Sequence, residues 1–476
     1  MKNTSILKYT TLALVAFFAT SCNLPTAVQK AENDSVPTAY NTSLDTVNSA
    51  KMNWREFFTD PDLIALIDTA LRNNQELNIL FQEISIANNE IMARKGEYLP
   101  FVTAGGSAGV DRVARYTRSG SVEENIDIKD GKKFPDPLPD FMLGFNAWWE
   151  VDIWNKLHNA KKAAALRYLS SIEGRNFVVT QMIAEIANSY YELLALDNEL
   201  LIIRQNLEIQ TNALEIVRLE KAAARTTELA VRRFEAEVLK NRSRQFYVQQ
   251  NIIEAENRIN FLIGRFPQPI KRTSEGFNNL LPTVVNTGIP SQMLDNRPDI
   301  RQAQLQLAAT KLDVKSTRAN FYPSLRITSA IGYQAFNPAY LVRPQSMLYT
   351  LAGDLVAPLV NRNAIKAMYL NANASQVQAA YNFERSLVRA HIEVVNQLAK
   401  INNLQRSYDL KSQQVQALTE SIAISTRLFR SARADYMEVM LTQRDALESK
   451  MELIENKKLQ FNAMVDLYQA LGGGWR

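Results

Sequence analysis

The amino-acid sequence predicts a mixed α/β membrane protein, in which hairpins of membrane-type β-strands alternate with very long α-helices. The hydrophobic period changes from about 3.6 to 2 residues at Phe321-Tyr322-Pro323, where a helical stripe ends and the alternating segment 324–332 begins. The same transition occurs earlier, at Tyr98-Leu99-Pro100. Each hairpin is followed by a helical pattern that is much longer than the helices of ordinary globular domains.

The recurrence of this pattern indicates an internal tandem duplication of about 200 residues. Similar residues recur at a spacing of 223 at the start of each copy, of 206 after the hairpin and of 208 in the last helices. The matching pairs include Asn73 and Asn296, Pro100 and Pro323, Asn155 and Asn361, Arg225 and Arg433, and Gly264 and Gly472. We therefore divide the chain into a first repeat (54–264), a linker (265–289) and a second repeat (290–476).

The amino terminus is predicted to be a targeting segment. Residues 1–21 contain two lysines, an apolar run and small residues, which together are typical of a signal peptide. Cys22 follows directly, and as the only cysteine it cannot form an internal disulfide. Its position resembles a bacterial lipobox, which implies that Cys22 is the lipidated first residue of the mature protein. The alternative is an ordinary signal peptide with an incidental cysteine. Residues 22–53 are polar and are predicted to form an extended, lipidated tether.

Two alternating segments predict the first hairpin. The first covers residues 102–111 and the second residues 141–153. One face of the second segment is apolar, with Phe141, Leu143, Phe145, Ala147, Trp149, Val151 and Ile153. About ten alternating residues suit a strand of a transmembrane barrel, although a half-buried strand of a soluble sandwich shows the same alternation. The repetition of the hairpin between long helices favours the barrel. Residues 112–140 are polar and are predicted to be an exposed loop.

The remaining segments are predicted to be helical. A first helix should run from Asp60-Pro61 to about Lys95, and a second from Lys156 to about Leu219. Apolar residues of the second helix are spaced four and three apart, as in a coiled coil. A helix of about 60 residues is roughly 90 Å long, and its charge density excludes a lipid environment. The chain should reverse at 222–227 and again at 433–435.

No catalytic or metal-binding constellation is apparent. The 476 residues carry a formal net charge of +5, with basic and acidic residues interspersed, so we expect no nucleic-acid partner. Two histidines and one cysteine do not provide a zinc ligand set, and no glycine-rich phosphate loop is present. Glu150 and Asp152 share a strand face, which we interpret as the polar lining of a barrel rather than an acid–base pair. We therefore expect no enzyme activity, cofactor or metal.

Several motifs together resemble the outer-membrane factor family, the TolC-like exit ducts, and in particular its lipoprotein branch of efflux-pump channels. The resemblance covers nearly the whole mature chain. It depends on Trp54 with Asp60-Pro61, on Trp149-Glu150-Val151-Asp152-Ile153-Trp154, on Arg297-Pro298-Asp299-Ile300-Arg301, on Tyr322-Pro323-Ser324-Leu325, and on Phe261-Leu262-Ile263-Gly264 and Leu471-Gly472-Gly473-Gly474-Trp475. Asn155, Asn361, Ala224 and Ala432 stand where the family usually has glycine.

The resemblance implies a homotrimer with a 12-stranded β-barrel, four strands per chain, that continues into a periplasmic α-helical coiled-coil tube. Some oligomer is also expected on physical grounds, because four strands cannot close a barrel and open edges are not tolerated in lipid. Two chains would provide eight strands and little open lumen. The implied function is a passive outer-membrane exit duct. Its partners would be a periplasmic adaptor (membrane fusion) protein, an inner-membrane pump of the resistance-nodulation-division type, and outer-membrane lipid.

A gate is expected at the helical turns far from the membrane. Asp435 matches the acidic gate position of the family, and Arg433 and Arg225 are candidate cations for its carboxylate. A polar turn is also what simple solvation of a helical hairpin would produce. Two alternatives to the efflux duct remain open, namely the duct of a type I protein secretion system and a non-pore envelope scaffold lipoprotein.

Overall fold

The computed structural model describes residues 25–26, 28, 30–40, 46–129, 131–431 and 433–476, with only the backbone described at positions 129, 278 and 430. The predicted signal segment, Cys22 and Ala432 therefore lie outside the described residues. The chain divides into two compact units. The first comprises the described residues within Met1–Ala31, Ser85–Leu169 and Leu305–Tyr381, and the second comprises those within Glu32–Ile84, Ser170–Gln304 and Asn382–Arg476.

Ten α-helices and six strands are present in the described chain. The helices are α1 Trp54–Phe57, α2 Pro61–Asn73, α3 Gln75–Glu97, α4 Arg118–Asn125, α5 Lys156–Ala222, α6 Glu228–Leu262, α7 Met293–Asn296, α8 Pro298–Ala319, α9 Asn363–Arg430 and α10 Tyr436–Ala470. The strands are β1 Phe101–Asp111, β2 Asp127–Lys129, β3 Lys132–Lys133, β4 Leu138–Val151, β5 Ser324–Ala335 and β6 Met347–Val356. Short 3-10 turns occupy Ser49–Lys51, Phe277–Asn279, Pro290–Gln292, Pro338–Tyr340 and Pro344–Ser346.

The first unit contains a four-stranded antiparallel sheet in the order β1-β4-β5-β6. The two predicted hairpins therefore join through β4 and β5, where Phe145 lies opposite Ile331 and Gly144 opposite Gly332. The paired residues confirm the predicted faces, since Phe145 and Ile331 share a row with Ala104 of β1 and Tyr349 of β6. The other face carries mostly small or polar residues. The edges β1 and β6 have no further strand partner in the described chain.

The expectation that residues 112–140 form only an exposed loop was wrong. This segment contains helix α4 and the small hairpin β2–β3. Thr117 caps α4 through its hydroxyl, which accepts a hydrogen bond from Gly120 N. Arg112 and Arg115 both bind Asp136, so ion pairs close the segment into a compact structure. Polar composition indicated exposure but did not exclude local secondary structure.

The join between strand and long helix is built alike in both repeats. Asn155 and Asn361 have φ values of 54° and 53° and turn the chain from the sheet into α5 and α9. Asparagine tolerates this left-handed conformation better than most residues, which explains why it replaces glycine here. In the first repeat, the Asp152 carboxylate accepts hydrogen bonds from the backbone N–H groups of Leu157 and His158.

The two carboxylates considered for acid–base chemistry are thus occupied by structural contacts. Burial raises the pKa of Asp152, but hydrogen bonds from the backbone and imidazole of His158 and the backbone of Leu157 outweigh this effect and lower it. Glu150 forms an ion pair with Lys156.

The second unit contains the main apolar core, in which α2, α5, α6 and α10 contribute side chains. Its largest fully buried members include Phe57, Leu63, Tyr190 and Ile259. The phenol of Tyr190 donates a hydrogen bond of 2.8 Å to Asp60, whose other oxygen caps α2. Among the described residues, no helix is both long and apolar enough to cross a membrane.

The first helix of each repeat is interrupted, which differs from the continuous helix expected up to Lys95. Asn74 separates α2 from α3, and its side chain donates a hydrogen bond of 2.7 Å to Leu262 O at the end of α6. Arg297, which occupies the matching position in the second repeat, donates one of 2.8 Å to Ala470 O at the end of α10. Each break is therefore held by the last turn of a helix distant in sequence.

Two glycines complete these matching joints. Gly264 and Gly472 follow the last helix of each repeat with φ values of 73° and 88°. A Cβ atom would lie 2.6 Å from Asn73 O at the first position and 2.6 Å from Asn296 O at the second. Both glycines are therefore required by a positive φ and by close backbone contact.

Candidate gate at the helical turns

The turns predicted to form the gate connect α5 to α6 and α9 to α10. In the first turn, Ala224 has a φ of 54°, and the backbone N–H of Arg225 donates a hydrogen bond of 2.9 Å to Glu220 O. In the second turn, the N–H of Arg433 donates one of 2.9 Å to Leu428 O. The same closing hydrogen bond is thus found at matching positions. The backbone at Ala224 explains why glycine is the expected residue there.

The residues that begin the following helices differ between the two turns. Thr227 is the N-cap of α6, and its hydroxyl accepts a hydrogen bond from Ala230 N at 3.4 Å. Asp435 is the matching N-cap of α10, but its side chain makes no capping hydrogen bond. Aspartate is among the best capping residues because its carboxylate can accept orphan N–H groups. Asp435 is exposed, and its carboxylate is not used for capping.

The charged residues that flank the first turn, Lys221, Glu228 and Arg232, are paired with one another within the chain. Glu228 forms ion pairs with Lys221 and Arg232, the latter at 2.8 Å. The hydrogen bond from Lys221, followed by the positive charges of Lys221 and Arg232, lowers the pKa of Glu228. This carboxylate is therefore already satisfied inside one chain.

The three predicted gate residues are not paired in this way. Arg225, Arg433 and Asp435 are all exposed. In the described part of the chain, none of the three forms an ion pair through its side chain. The structure therefore does not bring Asp435 together with Arg433 or Arg225 within one protomer, and a pairing among these residues would have to join different chains.

The helices next to both turns pack against each other within the second unit. The rings of Phe234 on α6 and Tyr436 on α10 have centroids 6.0 Å apart. Phe234 also belongs to the apolar core together with Leu214 and Val217 of α5. A movement at one turn would therefore be resisted by this shared packing.

The structure also gives a role to Arg297, which sequence reasoning recognised only as part of a motif. Its guanidinium is 5% exposed and binds Asp299 at 2.7 Å and Glu393 at 2.9 Å. These groups line a cavity of about 410 Å³, together with Arg389 and Asp466. The sequence signal for this position is the dipeptide Arg297-Pro298, because proline disfavours a helical conformation at the residue before it.

Comparison with known proteins identifies the class to which this architecture belongs. The sequence profile of outer membrane efflux proteins matches residues 66–265 and 289–473. The chain is 26% identical over 426 residues to the pyoverdine export outer membrane protein OpmQ of Pseudomonas aeruginosa, covering 89% of this chain and 87% of that protein. It is 24% identical over 468 residues to the cation efflux system protein CusC of Escherichia coli, covering 97% and 98%.

Two further similarities agree with this assignment. The probable outer membrane lipoprotein SilC of Salmonella typhimurium is 23% identical over 423 residues, with 89% of this chain and 88% of that protein covered. The solved structure of a membrane protein from Pseudomonas aeruginosa superimposes with a TM-score of 0.84 at 22% identity, covering 94% of this chain and 99% of that one.

The chain belongs to the outer membrane efflux protein family. It is accordingly an outer-membrane protein with the fold of the TolC-like channels, and it serves as the exit duct of an efflux system. This family is one of channels rather than of enzymes.

Proposed function

We propose that three copies of the chain form one duct in the outer membrane. The observation that carries this proposal is the sheet, which has one apolar face, one mostly polar face and two unpaired edges. Lipid provides no hydrogen-bonding partners for such edges, so β1 of one copy would pair with β6 of the next. Three copies yield twelve strands with the apolar face toward lipid and the polar face toward a water-filled lumen.

The duct would also be anchored by acyl chains on Cys22. The described part of the tether supports this proposal, because Val28 O accepts a hydrogen bond of 2.9 Å from Asn373 and Lys30 O one of 3.2 Å from Gln376. Asn373 lies ten residues into α9, about 15 Å from its start next to β6. The six residues from Val28 back to Cys22 can span about 20 Å. The anchor would therefore reach the end of the strands that joins the helices.

The proposed partners are a periplasmic adaptor protein and an inner-membrane pump of the resistance-nodulation-division type. Support comes from the relatives, which are named as components of pyoverdine export and cation efflux systems. Their cargoes differ widely at similar identity.

The gate is proposed at the turn that contains Asp435. Three copies would bring three Asp435 carboxylates and three Arg433 guanidinium groups toward one axis. Like charges at short distance repel one another, so the closed state requires cations between the carboxylates. Arg433 or Arg225 of a neighbouring chain would supply them. Contact with the adaptor would replace these pairs with others and shift the equilibrium toward the open state.

Single-channel recording in planar bilayers tests both the duct and the gate. The wild-type protein should be mostly closed, whereas Asp435→Ala, alone or with Arg433→Ala, should raise resting conductance. Cells that carry these variants should also admit large antibiotics. Glu228→Ala is the matched control, because this turn carboxylate is already paired within its own chain. An unchanged closed state in both Asp435 variants would place the gate elsewhere. Absence of any conductance would instead favour a scaffold without a pore.

A further inference from the structure

The mostly polar face of the sheet carries one feature that neither barrel assembly nor gating requires. Phe101 on β1 lies directly opposite Trp148 on β4, and their ring centroids are 5.4 Å apart at an angle of 43°. Both side chains are about half exposed, at 53% and 46%. They are the only aromatic residues on this face of the four strands, all of whose residues the structure describes.

An interfacial aromatic belt does not explain this pair. Belt residues lie on the lipid-facing side of a barrel. Tyr349 is on that side, in the row that contains Phe145 and Ile331, and Trp149 is on the same side, opposite Ile327. Trp148 has the opposite orientation, because neighbouring residues of a strand point to opposite faces. Its neighbours on its own face include Asn146 and Thr328.

We infer that Phe101 and Trp148 form a binding site for planar aromatic groups of the cargo. This inference rests on the proposed function, in which the mostly polar face lines the lumen. Ring faces that remain open to water can stack with a further ring, and tryptophan and phenylalanine provide the largest such surfaces. The next residues of β1 on this face, Thr103 and Gly105, have small side chains.

The charged residues near Phe101 and Trp148 do not select a ligand for its positive charge. Glu150 is the closest acidic residue along this face of β4, and it is paired with Lys156. Arg326 lies opposite Glu150 on β5 and adds a positive charge. Recognition would therefore depend on the aromatic surface of the ligand rather than on its charge. Weak stacking suits a duct, since cargo has to leave each site that it visits.

Ethidium, a planar aromatic cation, is a suitable probe for titration of the purified protein in detergent. We expect saturable binding, seen both as increased ethidium fluorescence and as quenching of tryptophan emission. The variant Phe101→Ser with Trp148→Ser should bind at least about tenfold more weakly, because both stacking surfaces are removed. Trp148→Phe should retain binding but lose most of the quenching.

Tyr349→Ser is the matched control. Tyr349 is 77% exposed and lies on the opposite face of the same sheet, so its removal should leave ethidium binding unchanged. Tetraethylammonium, which carries charge without a ring, should not displace ethidium. The inference would be overturned if the double variant bound ethidium as tightly as the wild-type protein does. It would also be overturned if tetraethylammonium displaced bound ethidium.

Assembly has to be measured on the same samples. If the double variant no longer assembles on native gels, the pair is a packing contact between copies and the inference is wrong. The absence of a duct is recognised separately, because then neither the wild-type protein nor the Asp435→Ala variant would conduct ions. If Asp435→Ala conducts but the wild-type protein does not bind ethidium, only the inference of an aromatic site is wrong.

Discussion

Replacement of Arg297 by methionine tests the central ion pair of the second unit. The guanidinium donates hydrogen bonds to Asp299 at 3.0 and 2.7 Å, to Glu393 at 2.9 Å and to Ala470 O at 2.8 Å. Methionine fills much of the volume but leaves all three acceptors without this donor. In the described part of the chain, Asp299 has no other ion-pair partner.

The expected loss of folding stability in Arg297→Met can be estimated from the burial of the two carboxylates that Arg297 binds. Breaking a buried pair costs about 3–5 kcal/mol, because one charge remains uncompensated. Asp299 is 20% and Glu393 34% exposed, and Glu393 keeps its ion pair with Arg389 at 2.9 Å. Because both carboxylates are partly solvated, we expect Arg297→Met to lower the free energy of unfolding by about 3 kcal/mol, the lower end of this range. Arg389→Met, which removes a cation that is 78% exposed, should cost less than about 1 kcal/mol.

Thermal unfolding followed by far-ultraviolet circular dichroism would rank these variants by melting temperature. Arg297→Met should melt well below the wild type, and Arg389→Met close to it. Adding Asp299→Asn to Arg297→Met should recover part of the loss, since the stranded charge is removed. Arg297→Met that melts no lower than Arg389→Met would refute the reasoning, and would show that the buried pair contributes no more than a surface pair.

Three further predictions follow from the described contacts and the proposed anchor. Cys22→Ala should abolish metabolic lipid labelling while transport falls only in part, because the proposed barrel would also hold the protein in the membrane. Labelling that survives the substitution would exclude Cys22 as the acylated residue. Leu143→Asp and Trp149→Asp place a charge on the apolar face, which costs up to a few kcal/mol near the bilayer midplane. The amount of the proposed trimer in outer-membrane fractions should therefore fall while expression persists. Normal trimer levels in both variants would mean that the faces are wrongly assigned. Gly472→Ala should lower the melting temperature more than Gly96→Ala does. Gly472 has a φ of 88° and an added Cβ would contact Asn296 O, whereas no atom lies within 4 Å of a Cβ at Gly96. Equal melting temperatures of the two variants would contradict this steric argument.

Much of the fold could be predicted because the relevant signals are local. A period of two residues assigns each strand residue to a face whatever the neighbouring strand is. The alternation alone therefore assigns Phe145 and Trp149 to the apolar face of their strand. The reversal points at 222–227 and 433–435 were likewise visible, since they interrupt long helical patterns.

The breaks in the first helices were decided only by tertiary structure. The stretch from Asp60 to Lys95 has a helical pattern throughout, yet the chain is interrupted at Asn74. The partner that stabilises this break is Leu262 O, 188 residues away in sequence. At the matching point, Arg297 binds Ala470 O across 173 residues. No local pattern contains such a partner.

At the candidate gate, too, the sequence determines some features and the tertiary structure determines others. The sequence identified Asp435 by its position in a turn and by family resemblance, and it suggested Arg433 and Arg225 as cations. Only the structure showed that the Asp435 carboxylate neither caps its helix nor pairs within the described chain. Capping depends on the backbone and rotamer geometry of one turn, and ion pairing on which distant groups the fold brings near. Neither quantity is encoded in residue type or spacing, and both are determined when the helices pack.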